Sequence, residues 1–155
     1  MKKLLVAVLL ASAGPSFADD FLDTQYGPHG WEVHLLRASV ANDVLTVAFM
    51  IENTGSSAEY MASMDVTEVA YTTSDEKFPV LIDANGQYLA STITYAPNED
   101  GSLFRAPDID QNEIYLSKEE RQVGWVKFEA PEDADWPIDL SLPGVSPFTI
   151  AKPAE

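Results

Sequence analysis

The sequence predicts an all-β protein built as one antiparallel sandwich of two sheets. Apolar and polar residues alternate with a period of two in several short segments, as in strands that bury one face. Turn-forming residues separate these segments, and no apolar pattern with a helical period extends over a useful length. This succession of short strands is typical of a two-layer antiparallel domain.

The clearest predicted element is a hairpin in the first half of the chain. A strand over residues 31–40 is followed by a turn at residues 41–43 and a second strand over residues 44–52. Four apolar residues of the second strand share the face that we expect to be buried: Leu45, Val47, Phe49 and Ile51. Residues 19–30 precede the hairpin as an extended lead-in, because glycine and proline interrupt any period there.

The rest of the sandwich, predicted to span residues 31–155, alternates strands with loops. A strand with or without a bulge covers residues 61–73, and a long polar loop with one or two short edge strands covers residues 96–122. A second hairpin is predicted around the turn Asp83-Ala84-Asn85-Gly86, between strands 78–82 and 87–95. Three strands close the sheets, at residues 123–130, 138–142 and 148–151.

The first 18 residues have the pattern of a secretory signal peptide. Lys2 and Lys3 precede the apolar run 4–11, and the small-residue site Ser16-Phe17-Ala18 follows it. The run is shorter than the roughly 20 residues that cross a bilayer. We therefore expect cleavage after Ala18 and a periplasmic or secreted product with no membrane span.

The composition excludes several classes of function. The chain contains no cysteine, so disulfides, thiol catalysis and thiolate metal sites are excluded. Its formal net charge is −16 at pH 7, which disfavours nucleic acid and anionic lipid as partners. Cations and basic proteins are the partners that this charge favours.

Three parts of the chain resemble a known family: residues 47–55, residues 77–91, and residues 125–131 together with 142–148. They are similar to segments of uncharacterised secreted or periplasmic bacterial proteins with an immunoglobulin-like domain of unknown function. Some of these proteins accompany peptidoglycan-binding envelope domains. The resemblance implies a single immunoglobulin-like sandwich and a place in the cell envelope. Its motifs are structural, so they support the fold better than any function.

No catalytic or cofactor-binding motif is recognisable. The chain has neither the Gly-x-Ser-x-Gly of serine hydrolases nor the His-Glu-x-x-His of zinc proteases. We therefore predict that the protein is not an enzyme, with a hydrolase that uses a carboxylate pair as the alternative. His29 and His34, the only imidazoles, would point to opposite faces of one continuous strand.

Two kinds of metal site are hypotheses. Four residues match positions 1, 3, 5 and 12 of a helical calcium loop: Asp108, Asp110, Asn112 and Glu119. Position 6 is Glu113, where that loop needs glycine, so a looser carboxylate site is the form we predict. Copper is the other hypothesis, because imidazole and thioether suit this metal, through His29, His34, Met50, Met61 and Met64.

A polar strand face suggests a surface for a partner. Trp125 alternates with Val126 and shares its face with Lys127 and Glu129. A tryptophan on such a face can anchor a protein or glycan. We therefore predict a non-catalytic binding or structural module of the bacterial cell envelope that acts by protein–protein contacts. A divalent-cation-binding protein is the alternative.

Overall fold

The predicted all-β sandwich is confirmed. The computed structural model describes residues 21–55, 59–61, 66–74, 76–97, 103–105, 114–116 and 120–154. These residues form strands and three short 3₁₀ helices, and two antiparallel sheets pack against each other. The predicted signal peptide, residues 1–18, lies outside the described residues.

The described part of the chain contains twelve strands. In chain order they are β1 (Asp23–Tyr26), β2 (Trp31–Ala41), β3 (Val44–Asn53), β4 (Glu59–Met61), β5 (Ala70–Thr72), β6 (Lys77–Pro79), β7 (Ala90–Pro97), β8 (Leu103–Arg105), β9 (Ile114–Leu116), β10 (Arg121–Glu129), β11 (Ile138–Ser141) and β12 (Phe148–Ile150). The larger sheet has the order β1-β2-β3-β10-β7-β8, and the smaller has the order β12-β11-β5-β6. Strands β4 and β9 form a separate two-stranded sheet.

The first predicted hairpin is confirmed as β2 and β3. Asn42 and Asp43 form its turn with φ angles of 52° and 60°, the positive values that a two-residue hairpin turn requires. The four apolar residues predicted to face the core are buried: Leu45, Val47, Phe49 and Ile51. A bulge between Leu35 and Arg37 shifts the register of β2.

The core lies between the two sheets, and Tyr71 on β5 links them. Its ring stacks on Phe78 at 4.6 Å and meets Phe128 of β10 edge-on at 5.4 Å. The Tyr71 hydroxyl donates a 2.9 Å hydrogen bond to the backbone carbonyl of Glu129. The smaller sheet is therefore joined to the larger by a polar bond as well as by apolar packing.

The second predicted hairpin forms only beside its turn, where residues 81–83 pair antiparallel with residues 87–89. Strand β6 pairs with β5 in the smaller sheet, whereas β7 pairs with β10 and β8 in the larger. The turn at residues 83–86 forms as predicted, because the Asp83 carboxylate accepts the backbone N–H groups of Asn85 and Gln87. Beside this turn, the Asp83 N–H donates to the Gln87 carbonyl at 2.8 Å and the Leu89 N–H donates to the Leu81 carbonyl at 2.7 Å, on either side of an Ile82–Tyr88 bridge. Beyond these residues the two segments diverge into different sheets.

Two other segments differ from the prediction. The strand expected over residues 61–73 is interrupted by a 3₁₀ helix at Val66–Glu68, which lies between β4 and β5. Within the lead-in expected over residues 19–30, β1 is a full member of the larger sheet, because it pairs with β2. The short edge strands expected in the long loop are present as β8 and β9, and β10, β11 and β12 lie close to their predicted positions.

Candidate functional site

The outer face of the larger sheet carries the predicted partner-binding residues. Val126 and Phe128 of β10 are buried in the core, whereas Trp125 and Lys127 are partly exposed and Glu129 is exposed. The predicted separation of β10 into a core face and a polar face is therefore confirmed. The three polar-face residues follow one another along the same strand face.

Trp125 stands between two small residues. Its directly opposite cross-strand partners are two small residues, Ala48 on β3 and Ser91 on β7. The Lys127 Nζ atom lies 5.4 Å from the centre of the indole ring, which is a cation–π distance. We call Trp125, Lys127, Ala48 and Ser91 the Trp125 platform.

A charged cluster occupies the same sheet face around the buried His34. Residue His34 is 4 % exposed. Its Nδ1 atom hydrogen-bonds the Thr24 hydroxyl of β1 at 2.8 Å, and its ring stacks on Phe21 at 4.0 Å. The Nε2 atom lies 3.7 Å from an oxygen of Glu32 and 3.8 Å from an oxygen of Glu52. Among the residues that the structure describes, none forms a hydrogen bond with Nε2.

Neighbouring groups hold both glutamates of this cluster. The Arg121 guanidinium binds Glu52 at 3.0 Å, and the Thr54 hydroxyl donates to Glu32 at 3.1 Å. Burial lowers the pKa of His34 below 6.5; Glu32 and Glu52 oppose this shift, and Arg121 adds to it. The imidazole is therefore neutral at pH 7, and it attaches β1 to the sheet through Thr24 and Phe21.

The structure describes residues of the predicted copper site but none of the predicted calcium site. The four residues of the predicted calcium site lie outside the described residues, so this site stays a prediction: Asp108, Asp110, Asn112 and Glu119. Met64 of the copper set also lies outside them. Of the copper set, the structure brings together His34 and Met50, which are buried cross-strand partners. Over the described part of the chain, no group of three or more His, Asp or Glu side chains is arranged to hold a metal ion.

A groove at one edge of the sandwich was not predicted. It lies between the second half of β2 and the C-terminal segment 149–154, and Trp136 and Ile150 line it. Leu22 and Val40, which also line it, are 61 % and 45 % exposed. Period-two alternation identifies the faces of a strand but not the edge of a sheet, so the sequence gives only a weak signal for this groove.

Comparison of the chain with known protein families, with curated proteins and with solved structures finds no match. Among the residues that the structure describes, none forms a helix long and apolar enough to cross a membrane.

Proposed function

We propose that this protein is an exported, non-catalytic binding module of the bacterial cell envelope that contacts a partner protein through the Trp125 platform. The observation that carries the proposal is a partly exposed tryptophan on the outer face of the larger sheet, with the small residues Ala48 and Ser91 as its cross-strand partners. Aromatic residues in such positions contribute much of the binding energy of protein interfaces.

Charge and export support the same proposal. The net charge of −16 favours a basic partner, since complementary charge accelerates association and suppresses wrong partners. The N-terminal pattern and the resemblance to secreted immunoglobulin-like domains favour the cell envelope. His34, the imidazole whose side chain the structure describes, is enclosed by Thr24 and Phe21, which favours a structural role over a catalytic one.

Site-specific photo-crosslinking in the exporting cell tests this proposal. A photoreactive amino acid at Ser91, which is exposed and pairs with Trp125, is expected to capture a discrete partner. The Trp125→Ala substitution should abolish that product while the protein still folds, as checked by thermal unfolding. The matched control carries the photoreactive group at Lys77, an exposed position on β6 of the other sheet.

Two results would contradict the proposal. One is an equal yield of the crosslinked product with and without the Trp125 side chain. The other is a product that forms from Lys77 but not from Ser91, because it would place the interface on the smaller sheet.

A further inference from the structure

One half of β2 presents an unpaired strand edge. Strand β1 pairs with β2 only from Glu32 to Leu35, and β2 continues to Ala41. Within the described ranges, no strand pairs with residues 37–41 on the side away from β3. Such an edge carries free N–H and C=O groups that can form a ladder with another strand, and monomeric proteins usually protect it.

The surroundings of this edge are apolar and locally neutral. Leu22 and Val40 are exposed beside it, although large apolar side chains are usually covered. Two basic residues that line the groove, Arg37 and Lys152, offset its two acidic residues, Asp23 and Asp133. The whole chain, by contrast, has a formal net charge of −16. The groove therefore lacks the strong negative charge by which the rest of this acidic chain would repel a second copy.

We propose that a second copy of this chain occupies the edge, with β2 paired antiparallel to β2 of the partner subunit around a two-fold axis at Ser39. In this register Ala38 faces Val40 of the partner subunit, and Arg37 faces Ala41 of the partner subunit. Residues 37–41 of each copy then pair with residues 37–41 of the partner subunit, and the two larger sheets join into one continuous sheet. The same patch serves both copies, as closed two-fold symmetry requires.

Charge complementarity favours this occupant. In the proposed register, Arg37 lies diagonally across from Asp43 of the partner subunit, on the same sheet face. Asp43 is exposed in the β2–β3 turn, so its carboxylate is accessible to a partner. Two-fold symmetry forms this pair of opposite charges twice. The turn of the partner subunit also reaches the exposed Leu22, beside the first residue of β1.

Sedimentation equilibrium of the purified protein tests the proposal. We expect a reversible dimer of twice the monomer mass between about 1 μM and about 500 μM. Raising NaCl from about 0.05 M to about 0.5 M should strengthen the dimer, because salt screens the repulsion between two acidic chains. A protein that stays monomeric at every concentration and salt would overturn the proposal. This holds also if the β2 edge of that monomer binds a different protein.

Substitutions locate the interface. Val40→Lys should raise the dissociation constant at least about tenfold, by placing an ammonium group in the apolar contact. Ile82→Lys is the matched control, because Ile82 is 54 % exposed and precedes β7, which β3 and β10 separate from β2. Arg37→Glu should weaken the dimer about 2- to 30-fold, through both symmetric pairs. Equal dimerisation of the Val40 and Ile82 variants would overturn the assignment.

The dimer has one consequence that rests on the proposed function. Antiparallel pairing of β2 places the outer faces of both larger sheets on one side, so the two Trp125 platforms face the same direction. A partner with two sites would then bind by avidity. The two proposals fail separately, because sedimentation measures self-association whatever Trp125 binds, and crosslinking from Ser91 reports the partner whatever the oligomeric state.

Discussion

Replacing Gly124 with alanine tests how closely β10 packs on β3. Gly124 lies opposite Phe49 in the sheet, on the core face of the strand. A Cβ atom added at this position would lie 2.5, 2.8 and 3.1 Å from three ring carbons of Phe49. The Phe49 side chain is 1 % exposed, so the core surrounds the ring and leaves it little freedom to move.

Two opposing effects determine the sign of the change. In the absence of a clash, Gly→Ala stabilises a protein by about 0.4–1 kcal/mol, because alanine reduces the conformational entropy of the unfolded chain. Overpacking of a core costs about 1–3 kcal/mol. The close contacts with Phe49 favour the second effect, so we expect Gly124→Ala to lower the free energy of unfolding by about 0.5–2.5 kcal/mol.

Urea unfolding of four proteins measures this effect: wild type, Gly124→Ala, Phe49→Leu and the double variant. Because the smaller leucine makes room for the new methyl group, Gly124→Ala should cost less in the Phe49→Leu background, with an interaction energy of about 0.5–3 kcal/mol. The reasoning would be refuted if Gly124→Ala were as stable as the wild type, or if the two substitutions were additive.

Two further predictions concern buried polar groups. Tyr71→Phe should lower the free energy of unfolding by about 1–2 kcal/mol in urea, because it leaves the Glu129 carbonyl without its donor; an unchanged unfolding midpoint would contradict this. The pKa of His34 is lowered in the native protein, so as the pH falls the unfolded chain takes up a proton at this residue, near pH 6.5, before the native protein does. The contribution of His34 to the free energy of unfolding is therefore complete above that pH and is lost as the pH decreases toward the native pKa. His34→Gln should reduce this loss between about pH 7.5 and pH 5.5, and the control His29→Gln should retain it; equal losses in both variants would exclude His34 as the cause.

Local alternation predicted the faces of strands well. The burial of Leu45 and Phe49 and the division of β10 between Trp125 and Val126 follow from a period of two, which any strand with one buried face must show. The β2–β3 turn was predictable for a similar reason, since Asn42 and Asp43 tolerate positive φ.

Pairing between distant strands was not predictable in the same way. The segments 78–82 and 87–95 have the pattern of a hairpin, but they pair with each other only beside the turn, whereas β6 pairs with β5 and β7 with β10. The choice depends on long-range partners that alternation does not encode.

The sequence by itself determined the all-β class, the face that each main strand buries and the polar face of Trp125, because these depend on the spacing of neighbouring residues. Only the tertiary structure decided that Glu32, Glu52 and Arg121 gather around His34, because register across three strands brings them together. It also decided that β2 extends beyond β1, since the open edge depends on where a partner strand ends.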